Sequence, residues 1–113
     1  MSDVGHYSIV INQGEDFYLS FYLEDDDGVP IDLTGNTIRG QIRRTYQSGS
    51  QLAAFALQNT LSDTGYVQLK LTNTVTSALP SGRWYYDVER VDSSSDVKRL
   101  LEGRVRVRPE VTK

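Results

Sequence analysis

The sequence predicts an all-β fold, an antiparallel β-sandwich of about seven or eight strands with one short helical turn near 73–79. Three observations carry this expectation. Apolar and polar residues alternate along four segments, the period of a strand with one buried and one solvated face. Turn signals rich in Gly, Asp and Asn separate those segments at short intervals. The composition is 38% hydrophobic with seven Tyr and one Trp, which suits an ordered β-rich domain. The 113 residues fit one domain, 1–113, large enough to bury a core without staples, with extended arms expected at 1–5 and 108–113.

A first strand, about 6–11, ends at the turn Asn12-Gln13-Gly14. Residues 17–23 place Phe17, Leu19, Phe21 and Leu23 on one face and Tyr18, Ser20 and Tyr22 on the other. The acidic run Glu24-Asp25-Asp26-Asp27 closes on Gly28, and Asp27-Gly28 is a tight-turn pair. Pro30 fixes its own φ and brings Ile31 and Leu33 to the core in extended form, while Gly35 permits a sharp exit. Residues 38–45, IRGQIRRT, put Arg39, Arg43 and Arg44 on the outer side.

Residues 50–58, SQLAAFALQ, carry helix propensity, but the stretch is short and flanked by strands. It reads as a strand with Phe55 and Leu57 inward. The turn Asp63-Thr64-Gly65 leads into 66–72, with Val67, Leu69 and Leu71 inward and Tyr66, Gln68, Lys70 and Thr72 outward. Asn73 or Thr74 caps the helical turn at 73–79, and Pro80 stops it. After Pro80-Ser81-Gly82, residues 84–90 place Trp84, Tyr86 and Val88 inward and Tyr85, Asp87 and Glu89 outward. The polar loop 92–96 makes a hairpin with 99–107, where Leu101, Val105 and Val107 point inward and Glu102, Arg104 and Arg106 outward. Pro109 ends ladder pairing, so the C-terminal RPEVTK reads as a departing arm.

The same residues argue against catalysis. The chain has no cysteine, which removes disulfides, thiolate metal sites and thiol nucleophiles. His6 is the only histidine and sits near an edge, so general-base chemistry has a single candidate. No strand-turn-helix nucleophile elbow is visible. Taking Gly28 as the sixth position of an EF-hand loop puts Leu23 first, so the acidic run fails as a calcium motif and reads as a solvated turn. No Gly-rich loop opens a helix. The net charge of −3 gives no pull on phosphates, so no nucleic acid partner is expected. The longest apolar run, 52–57, is far short of the ~20 residues of a membrane helix. MSDVGHYSIV lacks the basic and apolar regions of a signal peptide. No catalytic residue, metal ligand, cofactor or small-molecule substrate is expected.

What remains points to binding. Tyr18, Tyr22, Tyr66 and Tyr85 fall on outward faces, and tyrosine is enriched where proteins meet, though such rings also fill cross-strand pairs. Arg104, Arg106 and Arg108 recur at strand spacing on one face and join them as candidate interface residues. Outward arginines also pair with Asp87, Glu89 and Glu102 and protect sheets from edge-to-edge aggregation.

The order of motifs resembles a known group. INQGEDFYLSFYLEDDDGVPIDLTG at 11–35 is followed by IRGQIRRT at 38–45. Then come SDTGYVQLKLTNTVTSALPSGRWYYDVERV at 62–91 and RLLEGRVRVRPEVT at 99–112. Over about a hundred residues this order resembles small tailed-bacteriophage virion proteins similar to the N-terminal immunoglobulin-like domain of upper baseplate proteins. The resemblance implies an immunoglobulin-like sandwich with Trp84 and Tyr86 in its aromatic centre. It also implies a structural role in the virion, in the tail baseplate or as a tail-fibre adaptor. The implied partners are other phage structural proteins and copies of itself. Upper baseplate proteins continue into a coiled-coil, fibre-binding region, and this chain stops after the sandwich. Neck and head-decoration positions therefore stay open. A carbohydrate-binding module for host attachment and an adhesive domain of a larger surface protein are the rival readings.

Overall fold

The computed structural model describes residues 5–25, 27–45, 51–61 and 65–111. Residues 1–4 and 112–113 of the expected arms, Asp26 of the acidic run and Asp63-Thr64 of the expected turn lie outside the described residues. The described chain is mostly strand: β1 Gly5–His6, β2 Ile9–Asn12, β3 Phe17–Tyr22, β4 Thr37–Arg43, β5 Gln51–Leu61, β6 Tyr66–Leu71, β7 Gly82–Val91 and β8 Val97–Arg108. The one helix among the described residues, α1 Asn73–Ala78, falls where the sequence places a helical turn.

Two features of the expected sheet are corrected. The strands lie in the order β1-β8-β7-β4-β5-β6-β3 on one strongly curled half-barrel sheet, not in two clearly separate layers. The reason is β5, which pairs with β4 through Gln51 to Phe55 and with β6 from Ala56 onward, so one strand belongs to both halves. The sheet is also mixed. β1 and β2 run parallel to β8, whereas the other pairs are antiparallel. A parallel partner needs no hairpin, and here it joins residues almost a hundred positions apart.

Alternation sets the inside of the curl. Ile9, Ile11, Leu19, Val67, Leu69, Leu71, Val88, Val105 and Val107 are all buried. Phe55 lies at the centre, 6.5 Å from the Phe17 ring and 6.2 Å edge-on from Tyr86, and so ties β3 to β7. Trp84 is half-buried at the rim of this core, donating its indole N–H to the Pro80 carbonyl at 2.8 Å. Two other residues expected inward also differ. Leu57 is exposed, beside an irregularity between Leu57 and Asn59 where β5 changes register on β6. Leu100 takes the buried place expected of Leu101, because an extra residue opposite Val88 and Glu89 shifts the phase of β8. Leu101 is half-buried.

The N-terminal strands break at Tyr7. The Tyr86 hydroxyl donates to the Tyr7 carbonyl at 2.6 Å, and Tyr7 N–H donates to the Glu102 carbonyl at 3.0 Å. Gly103 makes room, since a Cβ there would collide with the Tyr7 carbonyl oxygen.

One end of the sheet is closed by α1. Its N-cap is Thr72, whose hydroxyl accepts from Val75 N–H, not the expected Asn73 or Thr74. Asn73 N–H instead donates to Asp16, at 2.7 Å. Thr76 is fully buried; its hydroxyl donates to the Glu15 carbonyl at 2.8 Å and accepts from Gly14 N–H at 3.1 Å. Gln13 donates to the Leu79 carbonyl and accepts from Glu110 N–H, so residues near the C-terminus pack back on this end. Gly5 and Arg108, which bound the expected arms, are both paired in the sheet, with Leu101 and Asn12. At the far end, the Leu23 carbonyl accepts from Ile31 N–H and Leu23 N–H donates to the Gly65 carbonyl. Gly65 has φ of 71° and no space for a Cβ against the Leu23 carbonyl.

Candidate functional site

The seven candidate interface residues do not form one site. The register separates them into two groups on different stretches of the outer surface.

The first group lies on β3 and its neighbour β6. Tyr22 stands opposite Tyr66, with ring centroids 5.0 Å apart, and Tyr18 stands opposite Lys70, whose ammonium is 5.2 Å from the ring centroid. Between them the Ser20 hydroxyl lies 3.3 Å from the Gln68 amide nitrogen. Tyr22 is 67% exposed and Tyr18 48%, whereas Tyr66 is half-buried under its partner. Tyr66 thus serves a cross-strand pair, while Tyr18 and Tyr22 leave ring surface open to solvent. β3 is the last strand on its side of the sheet.

The second group lies on β7 and β8. Tyr85 is half-buried between Arg104 of β8 and Arg43 of β4, its register neighbours. Arg106 is opposite Arg83 on β7 and opposite Val10 on β2, and Arg108 is opposite Asn12. Arg83, Arg104, Arg106 and Arg108 are exposed and make no ion pair among the described residues. Arg44, at the same end of β4, stacks its guanidinium over the Trp84 ring at 5.0 Å. The exposed Val10, 51% accessible, sits beside these arginines and gives the patch an apolar contact point.

Nothing in the local sequence pattern marks Arg83 or Val10. Their signal is long-range register: Arg83 matters because Arg106 faces it, and nothing within one strand reveals that. Like charges directly opposite one another destabilise a ladder, so this pairing costs the fold a little and invites an explanation from outside it.

Further along the same face the charges compensate. Arg39 donates to Glu89 at 2.9 Å, and Arg99 lies 3.2 Å from Glu102 and 3.6 Å from Asp87. Of the expected pairings, the acids are therefore met by Arg39 and Arg99 and not by Arg104, Arg106 or Arg108. Burial and the neighbouring Glu89 push the Asp87 carboxyl above its ordinary pKa, against the pull of Arg99 and Arg43. His6 is exposed, with Nδ1 3.8 Å from Glu102. No serine or other nucleophile bonds to it among the described residues.

Protein-family models and curated proteins give no match to this chain. The site is therefore read from its own chemistry. Among the described residues no three His, Asp or Glu side chains converge as metal ligands. In the acidic loop, Asp25 accepts N–H bonds from Asp27 and Val29, so this carboxylate builds its own turn. Asp32 accepts from both the Thr34 N–H and hydroxyl, which holds its carboxyl below the ordinary range. What the outer surface offers is contact chemistry: an aromatic strip on β3–β6 and a cationic face on β7–β8.

Proposed function

We propose that this chain is a structural, partner-binding module of a tailed-phage virion, belonging to the tail baseplate or tail-fibre attachment region. In this reading it is an immunoglobulin-like domain whose two halves share β5, made in the host bacterial cytoplasm and carried in the particle. Its partners are other phage structural proteins and copies of itself, and it has no enzymatic role. The same surfaces suit a head-decoration or neck position.

The observation that carries the reading is the cationic face of β7 and β8. Four arginines, two of them directly opposed, project to solvent without intramolecular carboxylates among the described residues. Such a face is retained at some expense in stability, which fits a contact surface better than a solubilising one. The order of sequence motifs supports the virion assignment. A second reading rests on the β3–β6 strip, where Tyr22, Ser20, Gln68 and Tyr18 combine rings with hydrogen-bonding groups. That mixture suits a saccharide, and host-glycan attachment is the alternative function.

The test is incorporation. Particles grown with Tyr22→Ala or Tyr85→Ala protein, probed by antibody against the chain, should carry less of it while the purified variants remain folded. Wild-type protein absent from purified particles contradicts the virion reading. Glycan-array binding lost only in Tyr22→Ala favours the attachment alternative.

A further inference from the structure

Charge is sorted along the length of the molecule, whose longest extent is 45 Å. The end closed by α1 carries Arg83, Arg106 and Arg108, exposed and unpaired among the described residues. The acids at that end gather around the 13–16 turn, off the arginine face, with the Glu110 carboxylate packed against Gly14. Glu15 accepts from the Asn12 amide and Asp16 from Asn73 N–H.

The opposite end is acidic. Loops 24–36 and 92–96 lie side by side there, with a Cβ on Gly35 only 3.8 Å from that of Ser93. They present Glu24, Asp25, Asp27, Asp32 and Asp96 to solvent. Asp25, Asp32 and Asp92 accept N–H bonds within their own turns, which leaves carboxylate lone pairs facing outward. Glu24, Asp27 and Asp96 make no ion pair among the described residues. Arg90 and Lys98 face each other on the strands behind the loop at 92–96 and temper this charge without cancelling it.

From this polarity we infer that the chain self-associates head to tail, the arginine face of one copy docking on the acidic loop end of the next. A net charge of −3 makes copies repel at random orientation, so only an oriented contact attracts. A two-fold contact through either patch would set like charges against each other. The occupant of the arginine face is therefore the other end of a second copy. Such a heterologous contact closes into a ring or continues as a filament, according to the rotation between copies. The inference rests on the assembly reading above, yet the two fail separately. A monomeric protein that still enters particles defeats only the head-to-tail contact, and a self-associating protein absent from particles defeats only the virion reading.

Sedimentation velocity of the full chain tests it. Association should rise with concentration at about 0.01 M salt, where the Debye length is ~30 Å, and vanish near 1 M, where it is ~3 Å. Arg106→Glu with Arg108→Glu, or Glu24→Lys with Asp27→Lys, should each give monomers. Mixing the two double variants should restore a complex, because each keeps one native patch that fits the other. The milder Arg106→Gln with Arg108→Gln serves if the charge reversal unfolds the chain, and should also weaken association at least tenfold. A wild-type chain monomeric at low salt overturns the inference, as do variants that associate like the wild type. Monomeric wild type that binds polyglutamate through Arg106 likewise overturns it, in favour of a foreign acidic partner.

Discussion

The Tyr86 hydroxyl donates to the Tyr7 carbonyl across 79 residues, at 2.6 Å, and this bond fixes the point where the N-terminal strand bends past β8. Tyr86 is itself 2% exposed, so the bond lies at the edge of the core. Tyr86→Phe should cost about 1–2 kcal/mol in urea unfolding, because it leaves a shielded carbonyl one partner short. Hydrogen exchange should quicken first at residues 9–12. Gly103→Ala, which drives a methyl into the same carbonyl, should cost at least as much.

Phe55 holds the two halves of the curl together through Phe17 and Tyr86. Phe55→Ala should destabilise by about 3–5 kcal/mol, from lost burial and the cavity left behind. That is a large part of the ~5–15 kcal/mol typical of a domain, so the variant should melt far below the wild type. Leu57→Ala, two residues on, should change stability by less than about 1 kcal/mol, because Leu57 is exposed. Calorimetry on the pair checks the inward and outward assignment of β5 directly.

Thr76 joins α1 to the 13–15 turn through a single hydroxyl that donates to Glu15 and accepts from Gly14. Thr76→Val keeps the shape and removes the bonds, and should cost about 1–3 kcal/mol. Thr76→Ser should retain most of the stability, since the hydroxyl remains. Denaturant midpoints distinguish the two.

Asp87 and Asp32 give stability opposite dependences on pH. The Asp87 pKa is raised in the fold, so between its unfolded and folded values the native state holds the extra proton, and stability falls as pH rises through that window. Asp87→Asn should therefore raise the melting temperature at neutral pH, by no more than about 1 kcal/mol of stability given its partial exposure. The gain should fade on acidification to the ordinary carboxylate range, near pH ~4. The Asp32 pKa is lowered, so its contribution is present above the unfolded value and is lost as pH falls through the folded one. Asp32→Ala should remove that acid-side decline. Melting curves across pH for both variants test the signs.

Much of the strand pattern is legible in the sequence because alternation is local. Val67, Leu69 and Leu71 are inward and Tyr18, Ser20 and Tyr22 outward as their spacing requires. Register is not local. The parallel seat of β1 and β2 on β8, the phase shift that buries Leu100, and the shared use of β5 all depend on which strand lies beside which. The candidate site divides in the same way. Arg104, Arg106 and Arg108 announce themselves by spacing, whereas Arg83 joins them only through the ladder. Thr72 caps α1 one residue earlier than expected, and Asp16, distant in sequence, takes the Asn73 N–H.

Arg83→Glu tests most directly whether the arginine face serves a partner at the fold's expense. The substitution puts a carboxylate opposite Arg106 and replaces a repulsive pair by an attractive one. The isolated domain should gain about 0.2–1 kcal/mol in urea unfolding at low salt, while its low-salt self-association weakens. A variant that loses stability, or that gains it and associates as strongly as the wild type, contradicts a partner role for the arginine face.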